Sequence, residues 1–224
     1  MKHIVLINPN TSAKTTALMT DIARRYVPKD YSITALTAET GVPMIINVTE
    51  LKASENEVIK MGLSQASAAQ GIIISAFGDP GLDTLRACIG IPVVGLCEAS
   101  MIEASRNDRK FGIATVTPDL VECFSEKARG MGFDVNYTGT RLTQGDPVRL
   151  AADQAALLLA LERAAQKCID DDGAEVVIIG GGPLGLAAES LQNSFAIPII
   201  SPIRCAVELL TTRIDLASND RLRT

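Results

Sequence analysis

The chain has no tryptophan and only 4% aromatic residues, so it offers little surface for stacking on nucleic-acid bases. Long basic runs are absent too, and the formal net charge is -5, which argues against binding a phosphate backbone. No stretch approaches the roughly 18 uninterrupted apolar residues of a membrane span. The first apolar run opens at His3, so no signal-peptide pattern is expected ahead of it. His3 is the only histidine, and no His/Asp/Glu cluster has metal-ligand spacing, so no metal site is expected. The five cysteines are odd in number and scattered without a CxxC pair, which reads as reduced thiols in a cytoplasmic protein.

What the chain does have is core. At 224 residues with 47% hydrophobic and 21% charged, it can build one large α/β domain or two small ones. Short apolar runs alternate with helix-like stretches, and the runs are too continuous for one-sided strands. We place strands at 4–7, 32–36, 71–75, 93–95, 112–115, 134–138, 176–179 and 199–200. Helices are predicted over 13–26, 50–69, 82–88, 101–106, 120–131, 153–170, 186–194 and 205–216, with a polar, frayed end over 218–224. This is an α/β chain with parallel sheets.

The strands repeat in kind. HIVLINPNTS, YSITALTAET, GIIISAFGDPGL and IPVVGLCEAS in the first half are answered by KFGIATVTPD, FDVNYTGTRL, EVVIIGGGPLGL and IPIISPIRCA in the second. Ile91-Pro92 recurs at Ile197-Pro198, and the Ile4 run recurs at Phe111. The pattern predicts two pseudo-symmetric Rossmann-like lobes with an interlobe ligand cleft. One lobe is residues 1–106, joined by the C-terminal helix over 205–224; the other is residues 107–204. The charged stretch Arg106 to Lys110 is the expected boundary.

Two related strand-to-helix corners, Asn10 to Ser12 and Ala114-Thr115-Val116-Thr117-Pro118, and the Gly180 to Gly182 turn carry the chemistry. At Asn10, Thr11 and Ser12 an apolar strand empties into a helix start, where Thr11 or Ser12 can act as cap. Unpaired N–H groups there suit an anion or a carbonyl oxygen. The run Gly180 to Gly182 lets the chain approach a ligand closely and can present consecutive N–H donors. It is no dinucleotide fingerprint, because Pro183 stands where that helix would start.

INPNTS, SAFGDPGL, CEAS and FGIATVTP together resemble the aspartate/glutamate/hydantoin racemase superfamily, nearest its hydantoin and allantoin racemase branch. The resemblance runs along nearly the whole chain. It implies a cofactor-independent enzyme in which two cysteine thiols, one from each half, exchange a proton next to a substrate carbonyl. Those thiols belong in ACFGDPG and GCAGM-like turns, and here the places are held by Ala76 and Gly181. An alanine and a glycine exchange no protons.

As binding residues the resemblance implies Asn10, Thr11, Ser12, Ile45, Ala76, Phe77, Gly78, Thr115, Val116, Gly181 and Gly182. For proton transfer the nearby ionisable groups are Glu98, Cys97 and Asp79. Each also has a structural role open to it: a cap or ion pair for Glu98, simple burial for Cys97, a turn brace for Asp79. Arg204 matches Glu98 in the repeat and could meet a substrate carboxylate or pair with Glu98. Cys88, Cys123 and Cys168 read as core or half-buried fillers. The expected activity is that of an isomerase or racemase acting on a small carboxylate, amide or cyclic ureide. Different carbonyl-adjacent chemistry (decarboxylation, lyase or amide hydrolysis) and a non-catalytic binding protein are the alternatives. The partner is then a small molecule, with no nucleic acid or membrane, and lobes of this kind often pair into homo-oligomers.

Overall fold

The computed structural model describes residues 1–221, and the end of the frayed stretch expected over 218–224 lies outside them. Two compact units emerge: Met1–Ile45, Thr49–Leu96 and the chain from Ile203 onward form one, and Ile46–Val48 with Cys97–Pro202 form the other.

The first unit is built from β1 (Lys2–Asn8), α1 (Ala13–Arg24), β2 (Tyr31–Thr37), α2 (Val48–Ala53), α3 (Glu55–Gln65), β3 (Gly71–Ile74), α4 (Leu82–Cys88) and β4 (Val93–Gly95). Its four strands are all parallel, in the order β2-β1-β3-β4. Ile4 to Ile7 and Ile72 to Ile74 are fully buried, as continuous apolar runs in a parallel sheet covered on both faces should be. Val5, Ile7, Ile72 and Ile74 pack with Val58, Leu82 and Leu85 of α3 and α4 into one core. The single helix expected over 50–69 is two, broken at Ser54, whose hydroxyl turns back to donate to the Leu51 carbonyl at 2.7 Å.

The second unit follows the same plan with α5 (Leu96–Ala104), β5 (Phe111–Thr115), α6 (Val121–Gly130), β6 (Tyr137–Leu142), α7 (Pro147–Ala152), α8 (Gln154–Asp170), β7 (Val176–Ile179), α9 (Gly185–Leu191) and β8 (Ile199–Ile200). The sheet is again parallel, in the order β6-β5-β7-β8, so β5 and β7 occupy the central places that β1 and β3 hold in the first. Three expectations shift here. The strand expected at 134–138 begins at Tyr137, because Phe133 to Asn136 form a turn that closes α6: Phe133 N–H donates to Ala128 at 2.9 Å, and Asn136 N–H to Phe133 at 3.0 Å. Helix α5 starts at Leu96 rather than at 101, running straight out of β4. Helix α7 was not expected, although Asp146 caps it by accepting from Arg149 N–H and Pro147 fills its first turn.

The last helix, α10 (Pro202–Arg221), starts ahead of the expected Cys205 and packs on the first sheet. A Cβ at Gly71 would stand 2.7 Å from Leu210 and 2.8 Å from Ile214, so the glycine admits the helix. Asp215 pairs with Lys2 and accepts a hydrogen bond from the Tyr31 hydroxyl at 2.6 Å.

Candidate active site

The first corner is built on a residue the sequence reading passed over. Asn8, the last residue of β1, is fully buried. Its amide reaches Asn10 Oδ1 and Thr16 Oγ1 at 2.9 Å and the Ser12 carbonyl at 3.3 Å, while its own oxygen accepts from Asn10 N–H at 3.2 Å. Asn10 Oδ1 also accepts from Ser12 N–H at 2.9 Å. Ser12 is the cap of α1, accepting from Thr15 N–H at 3.2 Å and from the Thr15 hydroxyl at 2.9 Å. The oxygens of Asn8, Asn10 and Ser12 are thus occupied within the corner itself. The side-chain NH2 of Asn10 and the hydroxyl hydrogens of Thr11 and Ser12, on half-buried residues, have no acceptor among the described residues. Thr11 N–H donates to the Val42 carbonyl at 3.0 Å, which ties down the loop that ends near half-buried Ile45.

Beyond β3, Ser75 gives both its N–H and its hydroxyl to the Ile7 carbonyl, each at 2.8 Å, so its side chain is a strut between strands. Ala76 is half-buried, Phe77 buried, and Gly78 takes φ 139, a conformation that glycine allows. Asp79 follows with φ 53, in the left-handed region that aspartate tolerates better than most residues. It is buried, its N–H bonds the Ala76 carbonyl at 3.1 Å, and a Cβ on Gly95 would collide with its carboxylate. Asp79 therefore lies against the junction where β4 becomes α5, the end of a helix that favours negative charge.

Residues Leu96 to Met101 of α5 are all buried, including Cys97 at 0% and Glu98 at 8% exposure. A carboxylate so shielded from water is held only in polar company, and neither Asp79 nor Glu98 lacks a partner.

In the second unit Thr115 is fully buried; its hydroxyl donates to the Gly180 carbonyl at 2.6 Å and lies 3.3 Å from the Thr117 hydroxyl. Thr117 makes no capping bond, unlike Ser12 in the first unit, and Val116 is buried between the two threonines. Gly180 N–H donates to the Ala114 carbonyl at 2.8 Å. Gly181 is extended, φ 163 and ψ 132, and buried Gly182 opens a short turn; their N–H groups have no acceptor among the described residues.

The other polar and thiol side chains weighed in the sequence lie as follows. His3 bonds the Thr34 hydroxyl at 2.9 Å at the opposite end of β1. Arg204 is exposed, pairs with Glu208 at 2.8 Å and lies 5.5 Å from the Tyr26 ring centre. Cys88, expected to be at least half-buried, is exposed at the end of α4. Burial raises the Cys168 thiol to about 12, the reverse of an activated cysteine. Among the described residues no cluster of three or more His, Cys, Asp or Glu could hold a metal.

The comparisons with known proteins bear on this architecture directly. The family model for Asp/Glu/Hydantoin racemase matches residues 4–210. The chain belongs to that family. A hydantoin racemase of Paenarthrobacter aurescens is 26% identical over 96% of this chain and 92% of its own. Another, from a Pseudomonas species (strain NS671), is 25% identical over 99% and 90%. The solved allantoin racemase from Klebsiella pneumoniae superposes with a TM-score of 0.92 at 23% identity, over 97% of this chain and 89% of that one. At its strand-end corners this chain carries a methyl group at Ala76 and no side chain at Gly181.

Proposed function

We propose that this protein moves a proton at the carbon next to a carbonyl of a small cyclic ureide, amide or carboxylate. It is a cofactor-independent isomerase or racemase of the hydantoin and allantoin type, working in the cytoplasm. One observation carries the reading: the family match spans 4–210 and so takes in both strand-end corners, each of which presents hydrogen-bond donors with no acceptor of their own. Those donors suit a substrate oxygen on which negative charge builds. Two hydantoin racemases aligned over nearly their whole length supply the substrate class.

Ala76 and Gly181 cannot supply the thiols, so a different base is needed. Glu98 fills that role in this proposal, as a shielded carboxylate on the first turn of α5. It takes the proton from carbon and the electron pair moves into the carbonyl; the planar intermediate then turns over in the site, and the Glu98 acid returns the proton to its other face. Asp79 braces the start of α5, and fully buried Cys97 belongs to the core.

Incubation in heavy water with hydantoins, allantoin, aspartate and glutamate tests this, with exchange at the alpha carbon followed by NMR. Exchange is expected with at least one cyclic ureide, and Glu98→Gln should slow it by about a hundredfold or more. No exchange with any of these compounds would sink the proposal. The bare positions Ala76 and Gly181 favour a second reading, a binding protein without turnover, which predicts thermal stabilisation by the same compounds and no exchange.

A further inference from the structure

Ser201 follows β8 and is 6% exposed, yet its hydroxyl oxygen is buried without a hydrogen-bond partner. The β7–β8 register pairs Ile178 with Ile200, which sets Ser201 beside Ile179, the residue before the Gly180 to Gly182 turn. Pro202 opens α10, and the Ser201 hydroxyl makes no capping bond to the N–H groups of its first turn. A buried hydroxyl left unpaired is costly and uncommon, and its usual explanation is a missing partner. The same sheet edge holds two further unused donors, the N–H groups of Gly181 and Gly182. In the first unit the matching place is Gly95, and there the Asp79 carboxylate fills the space. The second unit has leucine, Leu184, where Asp79 stands in the repeat, so no protein acceptor takes that place.

We propose that Ser201 is a substrate-binding residue whose hydroxyl donates to a carbonyl or carboxylate oxygen, beside the Gly181 and Gly182 N–H groups. The proposal rests on the reading of the protein as a small-carbonyl enzyme. It adds a positioning residue that neither the family motifs nor the sequence singled out.

The test is Ser201→Ala, with Thr143→Val as its control. Thr143 also carries a buried, unpartnered hydroxyl, but it follows β6 on the far side of β5. Wild type and both variants are titrated by calorimetry with hydantoin, allantoin and aspartate, and each is melted without ligand. Ser201→Ala should melt at or above the wild-type temperature, since it removes an unsatisfied group, and should weaken binding of the recognised compound about tenfold or more. Thr143→Val should bind as wild type does. Equal affinity in Ser201→Ala overturns the proposal and points to an internal water as the hydroxyl's partner. A ligand-free melting temperature lowered by more than about 3 °C overturns it too, because the hydroxyl then supports the fold. Equal weakening in both variants also refutes it. If the wild type binds none of the three compounds, the functional reading itself falls and takes the Ser201 role with it.

Discussion

Asn8 reaches Asn10, Ser12 and Thr16 from one fully buried amide, and its oxygen takes Asn10 N–H in return. Truncation would strand several polar atoms at once, so Asn8→Ala should cost about 2–3 kcal/mol in urea unfolding. Asn8→Asp should cost at least as much, since a carboxylate would face the Asn10 and Ser12 oxygens with no hydrogen to offer. Gly95 makes a similar case by steric means. A methyl there would overlap the Asp79 carboxylate, and Gly95→Ala should lose about 2–3 kcal/mol unless the turn at Gly78 to Gly81 moves. The INPNTS string shows that a corner exists, but not that its first asparagine is the hub. The visible signal was a polar residue closing an apolar strand. Ser201 was less legible still, because an unsatisfied hydroxyl is defined by its neighbours and no string of residues displays it.

Among the elements, α10 depends on contacts distant in sequence. Lys2 and Tyr31 both engage Asp215, and the Tyr31 hydroxyl also lies 3.3 Å from the Thr211 carbonyl. Burial, reinforced by Asp215, pushes the Tyr31 phenol up to about 12. The folded state thus favours the neutral phenol, and the stability this adds is complete below pH 10 and is lost as pH rises from about 10 to about 12. The Asp215 carboxyl is held below its ordinary value by the hydrogen bond from Lys2 and then that from Tyr31, so its contribution is present at neutral pH and lost as pH falls through the depressed value. Unfolding free energies measured across pH should show the alkaline loss in wild type and a flatter limb in Tyr31→Phe. Elsewhere the elements were readable to differing degrees. The apolar runs at β1, β3, β7 and β8 left little choice, since Ile and Val in succession suit only a strand buried on both faces. At 134–138 the alternation of Phe133 and Val135 with polar Asp134 and Asn136 imitated a strand. The ring contacts of Phe111 with Phe133 at 6.2 Å and with Tyr137 at 5.7 Å hold the turn there instead. Asp146-Pro147, a cap followed by a proline in the first turn, is a readable start signal for α7.

For the molecule as a whole, the sharpest experiment places thiols at the two positions where the family resemblance expects them. Ala76 already has a Cβ, and Gly181 has an extended backbone that any residue can adopt. A Cβ at Gly181 would lie 2.8 Å from Leu184 Cδ1, the movable end of a flexible side chain. The double variant Ala76→Cys with Gly181→Cys should therefore fold with a melting temperature within a few degrees of the parent (roughly 5 °C). It should gain alpha-proton exchange about tenfold or more above the parent, abolished by thiol alkylation. A well-folded double variant with no gain would show that the corners do not hold a substrate as a racemase does.

The order of apolar and polar residues was enough to set the class of this protein: buried parallel strands, a repeated half, and two corners where strands meet helices. Each follows from local rules, because strand burial, helix capping and glycine turns act over a few neighbouring residues. Folding in three dimensions decided the rest. It chose Asn8 as the hub, laid Asp79 against Gly95, turned Arg204 out to Glu208 and left the Ser201 hydroxyl without a protein partner. Those outcomes depend on which groups remain unpaired once residues far apart in the chain have packed, and that account closes only in the folded molecule.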